Sequence, residues 1–386
     1  MKKIKLAAVF GTRPEAIKMA PVILQMQRYS DFIEPFIVVT AQHREMLDQV
    51  LSLYKIKPDF DLNIMSSRQT LFDITRRVLT GLEEVFSKVE PDAVLVHGDT
   101  TTTFVTTLAA YYKQIPVGHV EAGLRTGNLR SPFPEEANRH LTGVLADLHF
   151  APTNTAKENL LKENVDASKI FVTGNTVIDA LKIAVEENYQ FISPTLAKCT
   201  ASGKKLILVT THRRENLGEP LRRVYRALRK VVEKHADVEA IFPVHKNPLV
   251  QNAVKEELGE LERIHLIEPL DYQPFTNLLA RSYLVLSDSG GIQEEAPALG
   301  KPVLVLRDTT ERPEAVKAGT VKLVGTDSEA IFNSTCRLLE EEHLYKKMSE
   351  AINPYGDGLA AQRIIEYILH SQGFLSAQPS SFRSNY

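Results

Sequence analysis

The sequence is poor in cysteine, even in charge and free of long apolar runs, and each shortage removes a class of protein. Two cysteines among 386 residues, Cys199 and Cys336, are too few for a disulfide scaffold and stand in no CxxC or other metal-binding spacing. A reducing cytoplasm is expected, and no metal. The 46 Lys and Arg against 48 Asp and Glu leave a net charge of −2, without a run of either sign to suit nucleic acid or an anionic membrane surface. Any anion site is therefore local. No stretch is long enough to span a bilayer, and the basic-then-apolar start from Met1 to Phe10 meets Gly11-Thr12-Arg13-Pro14 too soon for a signal peptide. It reads as a first buried strand. No G-x-G-x-x-G follows that strand and G-x-x-x-x-G-K-[ST] occurs nowhere, which counts against a dinucleotide oxidoreductase and a P-loop NTPase. No cofactor is expected.

What is present is a regular alternation. Short apolar runs at Ile4 to Phe10, Phe36 to Thr40, Ala93 to His97, Pro116 to Val120 and Leu148 to Ala151 are separated by helical patterns at Ala16 to Arg28, Leu71 to Val89, Thr102 to Tyr112 and Pro134 to Leu145. A second series runs through Leu206 to Thr211, Ala240 to Val244, His265 to Glu268, Tyr283 to Leu286 and Val303 to Leu306. The pattern predicts an α/β protein of two Rossmann-like, doubly wound domains, in keeping with a length that exceeds one hydrophobic core. The boundaries fall at 1–175, 176–372, whose last helix has the option of packing back on the first domain, and 373–386, a loose serine-rich tail.

Chemistry-bearing residues gather where these strands end, the edge at which α/β proteins place their sites. After Tyr283 to Leu286 comes Ser287-Asp288-Ser289-Gly290-Gly291-Ile292-Gln293-Glu294-Glu295, a strand-to-helix turn whose Ser289, Gly290 and Gly291 N–H groups are expected to be free for a diphosphate. Glu294 and Glu295, one turn on, are placed to accept from ribose hydroxyls. An ordinary helix start with a serine cap gives the same pattern. Elsewhere Gly98-Asp99-Thr100, Glu121-Ala122-Gly123-Leu124-Arg125, Glu135-Glu136 and His212-Arg213-Arg214-Glu215 all follow strands or open helices, and Arg139 is spaced to pair with Glu135. An echo links the halves: Arg13-Pro14-Glu15-Ala16-Ile17-Lys18 and Arg312-Pro313-Glu314-Ala315-Val316-Lys317 differ at one position of six. Proline suits the first helical position, and each arginine before it points past a strand end.

These motifs, with Phe10-Gly11-Thr12-Arg13-Pro14-Glu15-Ala16, Gly118-His119-Val120-Glu121-Ala122-Gly123-Leu124-Arg125, Pro134-Glu135-Glu136-Ala137-Asn138-Arg139 and His212-Arg213-Arg214-Glu215-Asn216, resemble those of the bacterial non-hydrolysing UDP-N-acetylglucosamine 2-epimerases. The resemblance extends from residue 10 to beyond Asn353-Pro354-Tyr355-Gly356-Asp357-Gly358. It implies a glycosyltransferase-B-like pair of domains facing a cleft, and interconversion of UDP-GlcNAc and UDP-ManNAc. By matching positions it makes Asp99, Glu121 and Glu135 the catalytic acids and His212 a catalytic histidine near the leaving group, with Asp99, Glu121 and His212 also touching substrate. It assigns Arg13, Lys18, Ser289, Gly290, Gly291, Glu295 and Arg312 to the nucleotide and puts Phe275 near the uracil. Gln42, Gln69, Arg213 and His245 match a site for a second, activating UDP-GlcNAc. A cytoplasmic homodimer feeding surface-polysaccharide synthesis is implied as well.

The chemistry needs such residues. No carbonyl acidifies the hydrogen on carbon 2 of the sugar, and oxidation would need the missing nicotinamide site. Breaking the anomeric C–O bond makes the neighbouring C–H acidic as positive charge develops, so elimination of UDP to 2-acetamidoglucal and its readdition remain, the route the resemblance also implies. That route calls for carboxylates around the sugar and a cationic grip on the diphosphate. Three alternatives stay open: a hydrolysing epimerase, a glycosyltransferase-B-type transferase, which would need only one base and an acceptor, and a UDP-sugar sensor that binds without turnover.

Overall fold

The computed structural model describes residues 2–383 except 43, 67, 214, 215 and 260. Arg214 and Glu215 of the His212 motif, and the last three residues of the tail, lie outside the described residues. The chain divides into two units, Met1–Ile183 with Tyr355–Arg383, and Ala184–Pro354.

In the first unit seven strands, β1 (Ile4–Phe10), β2 (Ile33–Val39), β3 (Phe60–Asp61), β4 (Ala93–His97), β5 (Val117–Val120), β6 (Leu148–Ala151) and β7 (Ile170–Val172), form one sheet in the order β3-β2-β1-β4-β5-β6-β7. The second unit builds a six-stranded sheet from β8 (Lys205–Thr210), β9 (Val238–Pro243), β10 (Ile264–Ile267), β11 (Leu284–Ser287), β12 (Val303–Val305) and β13 (Val321–Leu323), in the order β10-β9-β8-β11-β12-β13. Every pairing is parallel. Both sheets are thus doubly wound, and the winding reverses between β1 and β4 in one and between β8 and β11 in the other. The central strands are apolar along their buried lengths because helices cover both faces: Leu6 to Phe10 and Ile207 to Val209 are all 0–1% exposed.

Three strands escape the sequence pattern. β3 has two residues, one of them exposed, β7 has three, and β13 alternates buried Val321 with exposed Lys322, so none makes a run long enough to register. The helices follow from spacing and caps. In Leu71–Val89 the apolar residues Ile74, Val78, Leu82, Val85, Phe86 and Val89 form one buried stripe. Thr70 Oγ1 accepts from the Asp73 N–H at 3.2 Å while the Asp73 carboxylate accepts from the Thr70 N–H at 3.0 Å, a reciprocal cap. No helix among the described residues is long and apolar enough to cross a membrane.

The last helix, Ala360–Ser371, belongs to the first unit. It is tied there by Asp179, 5% exposed, whose carboxylate accepts from the Ala360 and Ala361 N–H groups at 3.2 and 2.8 Å. Beyond it residues 373–383 hold no regular element, yet Phe382 is buried and its N–H donates to Val172 O at 2.8 Å.

Asp179→Ala leaves two buried N–H groups unpaired, so it should destabilise the protein by ~1–3 kcal/mol and speed amide exchange at Ala360 and Ala361. Burial lifts the Asp179 carboxyl to about 6, against the pull of those N–H groups. Its folded pKa then lies above the ordinary 3.8, so its stabilising share is complete below about pH 4 and lost as pH rises through 6. Melting temperatures of wild type and Asp179→Asn should therefore converge or cross over that window; parallel profiles would remove the assignment.

Candidate active site

In the first unit the site starts from a glutamate that the sequence reading passed over. Glu15, 2% exposed, sits in the first turn of the helix Arg13–Arg28. Its Oε2 accepts from the Gly11 N–H at 3.0 Å and from the Thr12 N–H and hydroxyl at 2.8 Å each, and its Oε1 accepts from the hydroxyls of Thr100 at 2.6 Å and Thr103 at 3.0 Å. One carboxylate therefore joins the end of β1 to the start of the helix after β4, at the point where the winding reverses. Burial raises its pKa, and the hydrogen bonds from Thr100, Thr12 and Gly11 oppose the rise.

Over this junction lies a cavity of about 350 Å³, lined by Thr12, Pro14, Glu15, Lys18, Gln42, Leu71, His97, Asp99, Thr100, Thr101, Glu121, Pro134, Glu135 and Asn138. It brings together all three expected acids of this unit. Asp99 follows β4; its Oδ2 accepts from Arg139 Nη2 at 2.5 Å and its backbone oxygen from Asn138 Nδ2 at 2.9 Å. Glu121 follows β5 in the left-handed region, φ 62°, unusual for a residue with a Cβ and a form of strain that collects at functional sites. Its Oε2 pairs with Lys18 Nζ and accepts from Asn175 Nδ2 at 2.9 Å. Lys18, which the resemblance gives to the nucleotide, thus stands among the acids. Glu135 opens the helix Glu135–Leu145, and its Oε2 is buried with no hydrogen-bond partner.

One expected pairing is corrected. Arg139 binds not Glu135 but Glu136, Nη1 to Oε2 at 2.8 Å, because Glu136 turns inward to 0% exposure and also accepts from the Thr126 and Gly127 N–H groups. Adjacent glutamates on one helix divide between scaffold and cavity. Gln42 lines the cavity and Gln69 Nε2 donates to its backbone oxygen at 3.4 Å, so these two residues are neighbours; Arg13 is half-buried at the start of its helix.

The second unit repeats the device. Asp288, 0% exposed after β11, accepts from the backbone N–H groups of His212 at 3.1 Å and Arg213 at 3.0 Å, and from Asn216 Nδ2 at 3.3 Å, tying the ends of β8 and β11 together. Its Oδ1 also lies 3.1 Å from His212 Nδ1. Burial pushes the Asp288 carboxyl up, but the hydrogen bonds from His212 and Arg213 and the imidazole beside it hold it below the usual value. His212 is consequently fixed through Nδ1, with the rest of a 42% exposed side chain toward solvent. The His245 ring lies 6.4 Å away, tilted by 29°. Arg213 donates to Glu311 Oε1 at 2.9 Å and to the Asp288 backbone oxygen at 3.3 Å.

The Gly-Gly turn differs from expectation in one respect: the Ser289 N–H is not free but donates to Ser287 Oγ at 3.0 Å. A Cβ at Gly290 would lie 2.7 Å from Glu311 Oε1, so a larger residue would push that side chain aside. Glu294, 3% exposed, pairs with Arg312 Nε, which joins that arginine to the turn. Glu295, 9% exposed, accepts from the Tyr272 hydroxyl at 3.4 Å, on the same helix that carries half-buried Phe275.

Two clusters of metal-ligating groups stand apart from these residues: Cys199, Glu239 and His265, and His235, Cys336 and Glu340. Lysines already neutralise both, Lys204 on Glu239 and Lys234 on Glu340 at 2.8 Å each, and burial pushes the Cys199 thiol up to about 11.

Two Rossmann-like sheets with residues converging on both switch points place the chain in the glycosyltransferase-B-like fold class. The profile of the family described as UDP-N-acetylglucosamine 2-epimerase matches residues 25–369. The Bacillus subtilis UDP-N-acetylglucosamine 2-epimerase is 58% identical over 382 residues, 99% of each chain. A crystal structure from Listeria monocytogenes, described as a putative UDP-N-acetylglucosamine 2-epimerase, is 53% identical with a TM-score of 0.94, covering 99% of this chain and 100% of that one. The Neisseria meningitidis UDP-GlcNAc 2-epimerase bound to UDP-GlcNAc is 52% identical with a TM-score of 0.82, covering 95% and 100%. The chain belongs to the UDP-N-acetylglucosamine 2-epimerase family.

The Asp288 contact fixes a tautomer that can be observed directly. Nitrogen-15 spectra should show neutral His212 protonated at Nδ1, and Asp288→Asn should shift the population toward the Nε2–H form. An unchanged tautomer in the variant would mean that Asp288 holds only the backbone.

Proposed function

We propose that this chain interconverts UDP-GlcNAc and UDP-ManNAc without hydrolysis, by eliminating UDP and adding it back. The observation that carries the reading is the cavity of the first unit, where Asp99, Glu121 and Glu135 line one space with Lys18. A carboxylate there takes the proton from carbon 2, the C–H pair becomes the C1=C2 bond of 2-acetamidoglucal, and UDP leaves with the electrons of the C1–O bond. Protonation of carbon 2 on the opposite face and return of the UDP oxygen to carbon 1 complete the exchange, with no net gain or loss of electrons. Two faces need two acid–base groups, and a cavity with three carboxylates, one strained and one unpaired, supplies them.

Arg13, Lys18, Ser289, Gly290, Gly291, Glu295 and Arg312 bind the nucleotide, Phe275 lies near the uracil, and His212 stands near the departing diphosphate. Glu294 orients Arg312 for that task. Gln42, Gln69, Arg213 and His245 form the site of an activating second UDP-GlcNAc. The working form is a cytoplasmic homodimer whose UDP-ManNAc supplies surface-polysaccharide synthesis.

Incubation with UDP-GlcNAc in deuterated water should place deuterium on carbon 2 of both epimers and reach one fixed ratio from either direction. Unlabelled UDP-ManNAc would exclude elimination, and accumulation of free N-acetylmannosamine with UDP would make the enzyme hydrolysing.

Binding and chemistry should separate on mutation. Arg13→Ala or Arg312→Ala should weaken UDP binding ~10–100-fold through loss of a charge-assisted contact. Glu121→Gln or Glu135→Gln should leave UDP binding within a few-fold and cut turnover by about two to four powers of ten. Full activity in both glutamine variants would remove those residues from the mechanism.

A further inference from the structure

Three histidines stand on neighbouring strands of the first sheet, and one differs from the others. His97 ends β4, His119 lies on β5 and His149 on β6, at 3%, 1% and 1% exposure. His119 is a structural histidine: its Nε2 bonds the Gly98 backbone oxygen at 2.7 Å, which fixes the left-handed turn at Gly98, φ 70°. His149 is its direct cross-strand partner. At His97 both ring nitrogens are buried without a hydrogen-bond partner, and this side chain, unlike the other two, lines the cavity.

A buried polar group left unpaired works against folding, so a core position with no other duty would favour an apolar residue. The unpaired group here does have a neighbour. His97 Nε2 lies 3.8 Å from Glu121 Oε2, too far for a hydrogen bond. Lys18 and Asn175 already hold that carboxylate, so the imidazole is not needed to anchor it. An oxygen atom at ordinary hydrogen-bond lengths of about 2.8 Å from both atoms would subtend roughly 85° between them, and a shift of a few tenths of an ångström opens this toward the tetrahedral angle. The place fits one hydroxyl, which accepts from the imidazole N–H and donates to the carboxylate. Burial pushes the imidazole pKa down to about 4, so at neutral pH the ring is uncharged and suited to a neutral sugar group rather than a phosphate.

We infer that His97 is a substrate-contacting residue of this enzyme, its Nε2 donating to a hydroxyl oxygen of the N-acetylhexosamine whose own proton is donated to Glu121. The inference rests on the epimerase reading and adds to it the group that recognises the sugar next to the reacting carbon. Because the contact is to the sugar, it should not affect binding of UDP alone. It also predicts opposite effects on stability and activity, which a purely structural histidine would not show.

Two variants test this in the intact protein. His97→Phe keeps a planar ring and removes the unpaired polar atoms; it should melt at or above the wild-type temperature and bind UDP normally, yet lose ~10–100-fold in kcat/KM for UDP-GlcNAc, the effect of one hydrogen bond. His97→Gln, whose side-chain nitrogen reaches the place of Nε2, should recover most of that loss. A phenylalanine variant with wild-type kcat/KM overturns the inference, as does one that loses activity, UDP binding and thermal stability together, or a glutamine variant no better than phenylalanine. The wild type run alongside in deuterated water separates the two readings: no deuterium at carbon 2 there would defeat the epimerase mechanism, whereas normal exchange with an indifferent His97→Phe would defeat only the role of His97.

Discussion

Both sheets depend on the same constraint, a buried carboxylate that cross-links two adjacent strand ends where the winding reverses. In a doubly wound sheet the loops on either side of this point run off in opposite directions and leave a crevice. Nothing in the parallel ladder holds that crevice to a fixed shape, because the ladder stops where the loops begin. Glu15 does so between β1 and β4 with five accepted hydrogen bonds, and Asp288 does so between β8 and β11 through three donors on the loop that follows β8. A carboxylate suits the task since it accepts several bonds at once and brings no donor of its own to satisfy. Asp99 and His212 owe their positions to these junctions.

The fold was legible because parallel sheets covered on both faces write themselves as uninterrupted apolar runs. β1, β4 and β6 coincide with their sequence runs, and the other long strands are displaced by one to three residues. What failed to register were the short outer strands: β3 and β13, where half-exposure breaks the run, and β7, buried but only three residues long. The site was legible in a different way: residues at strand ends could be named, but not their partners. Spacing allowed Arg139 to meet Glu135 or Glu136 equally, and only the inward turn of Glu136 decided the matter. Likewise no local pattern foretold that Glu121 would take a left-handed conformation or that Ser287 would occupy the Ser289 N–H.

Some polar groups in the first unit serve the scaffold and others face the cavity. Glu15, Glu136, His119 and Asp179 are buried and bonded, and they hold backbone in place. His97 is buried and Glu135 half-buried; both ring nitrogens of the one and Oε2 of the other are buried and unpaired, and both residues line the cavity. A fold selected for stability alone would eliminate the second kind, because each desolvated group without a partner works against folding. Thr106, Thr142 and Thr176 also bury an unpaired hydroxyl away from the cavity, but among the residues lining it the unpaired atoms belong to an acid and an imidazole, the groups that proton transfer and sugar recognition use.

The hexapeptide echo shows how far local sequence carries meaning. Arg13-Pro14-Glu15-Ala16 begins the helix after β1, at the reversal point, whereas Arg312-Pro313-Glu314-Ala315 begins the helix after β12, one strand further out in its sheet. The two are therefore not corresponding parts of a duplicated domain. What they share is local: a proline in the first helical turn, where a missing N–H is harmless, and a glutamate one residue on that is buried in both, at 2% and 8% exposure. Glu15 acts on its own turn and reaches Thr100 beyond the end of β4, while on the other side Arg312 pairs with Glu294 in the helix after the Gly-Gly turn. One helix-start solution thus serves two positions, and the strand it follows decides which part of its own unit it meets.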